Sequence, residues 1–184
     1  MVPRITMIAM ALLSLLACSC GTSSGHRSDD LAPISRDTFQ RQVQEAQRFY
    51  SGSMQEHAGL LEAGDLDGFI QGILAEHDQE DLSAAWSWVL GEVLFTLNPE
   101  ASRLATKRAW QQAPHLAEVS FSWALHELRA NNHDGACTIL DALRHAADQD
   151  GRVLLHRAQC LLHQGKWKEA IDGYEASKKL LEPE

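Results

Sequence analysis

Apolar side chains in residues 35–184 recur every three or four positions, the spacing of one face of a helix. Phe39, Val43, Ala46 and Tyr50 form the first such stripe. No stretch shows the sustained alternation of apolar and polar residues that marks a half-buried strand. The pattern therefore predicts an all-α chain, with Asp37 capping the first helix and a break at residues 51–53, which are Ser, Gly and Ser.

The C-terminal part of this pattern repeats at a spacing of 34 residues. Moving it back by one step places Gly165 on Asn131 and Ala170 on Ala136. The same step places Tyr174 on Leu140 and Ala158 on Ala124. A second step of 34 residues reaches a unit that contains Trp86, Ala109 and Pro114, and a fainter copy of the pattern lies at residues 60–66. A period of this length predicts helical hairpins that stack, because no single hairpin can bury its own apolar face.

The small residues, turns and aromatic positions of these units resemble the tetratricopeptide repeat family. The best match is 151–184, followed by 117–150 and 83–116, and residues 35–82 hold N-terminal helices with a degenerate repeat. The resemblance implies an all-α, tetratricopeptide-like stack of antiparallel helical hairpins, about three to four repeats forming a short right-handed superhelix. Ser102 and Thr106 depart from the family's pattern, as does Arg157. A helical bundle without true repeats is the alternative.

Residues 1–17 have the composition of a signal peptide. Arg4 is followed by an apolar run from Ile5 to Leu16, which is too short to span a bilayer as a helix. The run ends in Leu-Leu-Ala before Cys18, which resembles the bacterial lipobox, where the signal is cut before a cysteine that carries acyl chains. Ser19 follows that cysteine, and the resemblance then implies the outer membrane, facing the periplasm. A secretory signal without lipid is the alternative.

Residues 18–34 are predicted to be a lipidated flexible tether, because they contain too little apolar surface to fold. Removal of residues 1–17 takes away Arg4 and no acidic residue, so the formal net charge changes from −9 to −10. This acidity argues against nucleic acid as a partner. It also argues against docking on anionic lipid head groups. Acyl chains on Cys18 are therefore the expected membrane contact.

Residues that could support catalysis are scattered. The nine histidines do not contain the tight pairs that bind zinc, so no metal and no cofactor is expected. No phosphate-binding loop or nucleophile motif occurs, and we expect a protein that is not an enzyme. A periplasmic metal-binding accessory or enzyme that uses the histidines is the alternative.

Cys137 and Cys160 lie on the second helix of one predicted unit and the first helix of the next. In an oxidising periplasm they can form a disulfide. The sequence favours the other outcome, two buried free cysteines, because unpaired cysteine is among the most buried residue types.

The first helix of each tetratricopeptide unit lines a concave groove, and the resemblance assigns groove residues to this chain. They are Trp88, Phe95, Phe121, Leu125, Arg129, Arg152, Gln159 and His163. Such a groove suits an extended or helical peptide segment of a periplasmic or outer-membrane protein. The other four tryptophans, Trp86, Trp110, Trp123 and Trp167, fall at seam positions and are predicted to be core.

These features together predict an outer-membrane-anchored periplasmic lipoprotein. Its expected role is a protein–protein interaction scaffold in the assembly of an envelope machine, pilotin-like or as an assembly factor, by family analogy. A self-associating structural module is a further alternative.

Overall fold

The computed structural model describes residues 33–75, 82–143 and 150–182. Over these ranges it contains helices only, so the all-α prediction is confirmed. The helices are α1 (Arg36–Glu56), α2 (Ala58–Glu62), α3 (Leu66–Ala75), α4 (Ala84–Leu94), α5 (Pro99–Gln112), α6 (Ala117–Arg129), α7 (His133–Ala142), α8 (Gly151–His163) and α9 (Trp167–Leu181). The predicted signal peptide and Cys18 lie outside the described residues, with nearly all of the predicted tether.

The last six helices form three pairs, each lying inside one predicted unit. The pair α4 and α5 lies within 83–116, α6 and α7 within 117–150, and α8 and α9 within 151–184. In the described part of the chain, no helix has the length and the apolarity needed to cross a membrane.

Three of the turns between helices share one backbone conformation. Gly64, Asn131 and Gly165 have positive φ angles of 79°, 57° and 73°. The N–H of the following residue donates to a carbonyl five positions earlier: Asp65 to Leu60 at 2.8 Å, Asn132 to Glu127 at 2.9 Å and Lys166 to Leu161 at 2.9 Å. This left-handed helix ending favours glycine or asparagine, since other side chains clash there. The repeat therefore has a local conformational basis at these three turns.

The turn between α4 and α5 is built differently, because Leu97 stands where the other turns have Gly or Asn. The Asn98 N–H donates to the Leu94 carbonyl at 2.8 Å. The Asn98 side chain then accepts from the Ala101 N–H at 3.0 Å. Pro99 follows as the first residue of α5, where its missing N–H costs nothing.

Helix α1 runs without interruption through residues 51–53, so the predicted break is wrong. Tyr50 and Ser53 are both buried, and the packing of this face compensates for the weak helix propensity of Gly52. The helix also starts earlier than predicted. Ser35, not Asp37, is its N-cap and accepts from the Thr38 N–H at 3.2 Å.

The chain forms two compact units, the first ending at Ala109 and the second beginning at Trp110. In the first unit, aromatic side chains join α1 to α4. The rings of Phe39 and Trp88 lie 5.8 Å apart and those of Phe49 and Trp86 lie 5.4 Å apart. Small residues join α4 to α5, where the Ser102 hydroxyl donates to the Gly91 carbonyl at 2.6 Å.

In the second unit, a continuous core joins α6, α7 and α8. Its buried members are Ala124, Cys137, Leu140, Leu143, Val153 and Cys160. Helix α9 packs closely on α8 through small residues, and the Ser177 hydroxyl donates to the Gly151 carbonyl at 2.7 Å. An added Cβ on Gly173 would lie 3.0 Å from the Ala158 Cβ, so glycine permits this close approach.

The tryptophan predictions have mixed outcomes. Trp123 is buried and stacks on Trp110 with ring centroids 5.9 Å apart, and Trp86 is half-buried. The prediction for Trp167 is wrong, because 65% of its surface is exposed. It is the first residue of α9, and it lies on a side of that helix that the described residues leave largely uncovered.

Candidate protein-binding face

Helices α6 and α8 bring three of the relevant side chains of the second unit into contact. The Phe121 ring on α6 lies 5.7 Å from the His156 ring, measured between centroids. The Arg152 guanidinium carbon lies 5.6 Å from the centroid of the same Phe121 ring. Arg152 and His156 are four residues apart on α8 and therefore share one side of that helix. An aromatic ring is thus flanked by a guanidinium group and an imidazole ring.

Asp150, the N-cap of α8, positions Arg152. The carboxylate accepts from the Arg152 backbone N–H at 2.9 Å, from Nε at 3.1 Å and from Nη2 at 2.8 Å. Partial burial acts to raise the pKa of Asp150. The hydrogen bonds and positive charge of Arg152 outweigh that effect and hold the pKa below its ordinary value. Helix capping and the orientation of Arg152 therefore depend on one carboxylate.

The same side of α8 continues with Gln159 and His163. His156 Nδ1 lies 2.9 Å from Gln159 Oε1, in hydrogen-bonding range. The exposed His163 ring stacks on His133 at the start of α7, with centroids 3.6 Å apart. The spacing of 152, 156, 159 and 163 is that of a helical stripe.

On α6, Leu125 is half-buried and Arg129 is exposed. They follow Phe121 at steps of four residues and therefore continue its side of the helix. We name the whole set the α6/α8 face: Phe121, Leu125, Arg129, Arg152, His156, Gln159 and His163. It contains all six groove residues that the sequence predicted in the second unit.

His156 was missed by the sequence analysis. It was treated only as one of many scattered histidines, although its spacing from Arg152 and Gln159 marks the same helical stripe. That spacing was the signal that could have identified it. Its contact with Phe121, by contrast, joins two different helices and has no local sequence signature.

The two predicted groove residues of the first unit have different positions. Trp88 is only 4% exposed and packs against Phe39, so it belongs to the core, and its assignment to the groove is wrong. The helical pattern alone did not distinguish it from its half-buried neighbour Trp86, because apolar residues surround both. Phe95 is half-buried and directly follows α4.

A disulfide lies within the core of the second unit. Cys137 of α7 and Cys160 of α8 are bonded, with Cα atoms 5.5 Å apart. The two residues are 4% and 3% exposed. The preference for two free cysteines is therefore contradicted. Their burial was anticipated, but their pairing depends on the distance between two helices, which sequence spacing does not give.

Among the residues that the structure describes, no group of three or more His, Cys, Asp and Glu side chains is arranged to hold a metal ion. The close pair formed by His133 and His163 has two such members. The described contacts of the α6/α8 face are aromatic, cationic and hydrogen-bonding.

No protein-family model and no curated protein matches the sequence. Solved structures of a protein named MamA do match the fold. MamA MSR-1 aligns with a TM-score of 0.56 at 18% identity, covering 76% of this chain and 76% of that one. MamA AMB-1 aligns with a TM-score of 0.55 at 17% identity, covering 73% and 79%. A further MamA crystal structure gives 0.52 at 15% identity, covering 80% and 91%.

Identities this low bear on the fold alone. Together with the all-helical architecture, these structural alignments establish a tetratricopeptide-like stack of helical hairpins as the fold of this chain. This is the fold class that the 34-residue spacing predicted.

Proposed function

We propose that this protein is a non-enzymatic periplasmic lipoprotein, anchored in the outer membrane through acyl chains on Cys18. Its α6/α8 face binds a peptide segment of another periplasmic or outer-membrane protein during assembly of an envelope machine. The observation that carries the binding proposal is the contact of Phe121 with Arg152 and His156 at the accessible side of two neighbouring first helices. The lipobox resemblance around Cys18 supports the anchoring.

The chemistry of the face suggests what the partner segment carries. Phe121 and Leu125 offer a partly accessible apolar centre, and the exposed Arg129 and Arg152 lie beside it. Asp150 pairs with Arg152 at 2.8 Å, so this part of the chain combines two guanidinium groups with one carboxylate, in a chain of net charge −9. We therefore expect the partner's segment to carry an apolar anchor residue next to an acidic side chain. The anchor would supply most of the affinity, and charge complementarity would select the partner.

Site-specific photo-crosslinking in cells tests this binding. A photoreactive residue at Leu125 is expected to crosslink to one defined partner, identified by mass spectrometry. The double variant Phe121→Ala with Arg129→Glu is expected to abolish that adduct without changing helical content by circular dichroism. Lys107→Glu, a charge reversal at an exposed position on α5, is the control and should leave the adduct intact. An undiminished adduct in the double variant would place the binding site elsewhere.

The anchor is tested separately by fractionating cell membranes. Cys18→Ser is expected to release the protein from the outer-membrane fraction and to abolish incorporation of labelled fatty acid. Cys20→Ser is the matched control, two residues away, and should retain both properties. Lipid label that persists in the Cys18→Ser variant would contradict the assignment of the lipidated residue.

A further inference from the structure

Helix α9 exposes an apolar stripe. Trp167 is 65% exposed, Ile171 58% and Leu181 47%. Trp167 and Ile171 are one helical turn apart. Leu181 recurs on the same side ten residues after Ile171, with the half-buried Tyr174 and the exposed Lys178 between them on that side. We name Trp167, Ile171 and Leu181 the α9 stripe. An exposed Trp and Ile on adjacent turns of one helix form an apolar patch of the kind that marks an interaction site.

The repeat indicates what kind of element covers such a stripe. Ile171 occupies the position that Cys137 has one unit earlier, and Cys137 is 4% exposed because α8 packs on it through Cys160. Trp167 likewise corresponds to His133, whose ring stacks on His163 of α8. Trp167 and Ile171 therefore occupy the positions that in the preceding hairpin receive a neighbouring helix. We infer that a helix covers it.

Charges beside the stripe identify that helix. Lys168, Asp172, Glu175 and Lys179 are exposed and follow one flank of α9 at steps of four and three residues. The exposed Glu182 comes three residues after Lys179, directly after the last residue of the helix. In an antiparallel pair related by a two-fold axis, the same flank of each helix faces its copy. With the axis at Glu175, Lys168 meets Glu182 of the second copy, and Asp172 meets Lys179.

We propose that α9 pairs antiparallel with α9 of a second copy of this chain, about a two-fold axis near Glu175. Four of the five flanking charges then face the opposite sign, and Glu175 alone faces its own copy. The same register places Trp167 about 3 Å along the axis from the level of Leu181 of the second copy, so these two apolar residues meet between the helices. Ile171 lies about 1.5 Å along the axis from the level of Lys178 of the second copy, whose aliphatic stem can cover it. This inference does not depend on the α6/α8 face.

Cysteine crosslinking of the full chain in cell membranes tests the pairing and its register. Glu175→Cys lies at the axis and is expected to form a disulfide-linked dimer under mild oxidation, at least tenfold above the wild-type background. Lys168→Cys is the matched control on the same flank. Its two copies would lie about 21 Å apart along the axis and should not crosslink. Mixed with Glu182→Cys chains, Lys168→Cys is expected to give the dimer.

A further variant tests whether the crosslink depends on the α9 stripe or arises from chance collisions between chains. Ile171→Glu in the Glu175→Cys background is expected to lower the dimer yield at least tenfold while retaining helical content, because Ile171 is largely exposed in the single chain. The proposal is overturned if Glu175→Cys forms no dimer, if Lys168→Cys alone crosslinks as well, or if Ile171→Glu leaves the yield unchanged. A disulfide adduct with a protein of different mass would overturn it too, by assigning the stripe to another partner.

Discussion

Reduction of the Cys137–Cys160 bond should weaken the second unit more than the first. The bond closes a loop with a sequence separation of 23 residues. In the loop-entropy model, opening a loop of that length costs about 3 kcal/mol of stability, through the greater freedom of the unfolded chain. Reduction leaves both sulfur atoms in place, so it measures this effect without also creating a cavity.

Urea unfolding with and without reductant is the assay, followed by circular dichroism. The two compact units make separate transitions the expected behaviour, and the loss belongs to the transition of the second unit. With a slope of about 1–1.5 kcal/mol/M for a unit of this size, a loss of about 3 kcal/mol lowers the midpoint by about 2–3 M urea. Binding through the α6/α8 face should weaken in parallel, since the bond joins α8 to the core beneath that face.

The double variant Cys137→Ala with Cys160→Ala is the control, and reductant should not change its unfolding curve. Two results would refute the reasoning. Equal thiol counts on the denatured protein before and after reduction would mean that the bond does not form. A bond that forms but contributes less than about 0.5 kcal/mol would mean that loop entropy is not its main effect.

Two further predictions concern stability. Gly91→Ala should make the protein about 1–3 kcal/mol less stable than Gly52→Ala does, as measured by thermal or urea unfolding. The reason is that a Cβ on Gly91 would overlap Thr106 Oγ1, whereas a Cβ on Gly52 would face open space. Equal stabilities of the two variants would contradict the close approach of α4 and α5. Asp150→Asn should be less stable than wild type at neutral pH. Because the folded-state pKa of Asp150 is depressed, its contribution is present above the ordinary value of 3.8 and is lost as pH falls through the folded value. The difference between the two proteins should therefore shrink below about pH 4, and a constant difference would argue against the Asp150–Arg152 interaction.

Several features of the fold were predictable because they depend on nearby residues. The turns at Asn131 and Gly165 were located by their spacing, and their positive φ angles explain why those residue types stand there. Helical spacing likewise placed Phe121, Leu125 and Arg129 on one side of α6, and their role in binding stays a prediction.

Other features depend on contacts between distant segments. Helix α1 passes through Gly52 because Tyr50 and Ser53 are buried on its packed side, which outweighs a local cost of about 1 kcal/mol. Trp88 is core and its neighbour Trp86 is half-buried, although α1 presents an aromatic ring to each of them, Phe39 to Trp88 and Phe49 to Trp86. Local propensity contains no information about either contact.

The sequence by itself determined the helical class, the 34-residue spacing and the chemistry available on each helix, because these follow from side-chain type and from neighbours within one or two turns. The tertiary structure decided that Cys137 and Cys160 bond, that His156 contacts Phe121, and that Trp167 remains exposed. Each of these depends on the distance between two helices. That distance is set by the packing of many side chains together, and no short segment of sequence specifies it.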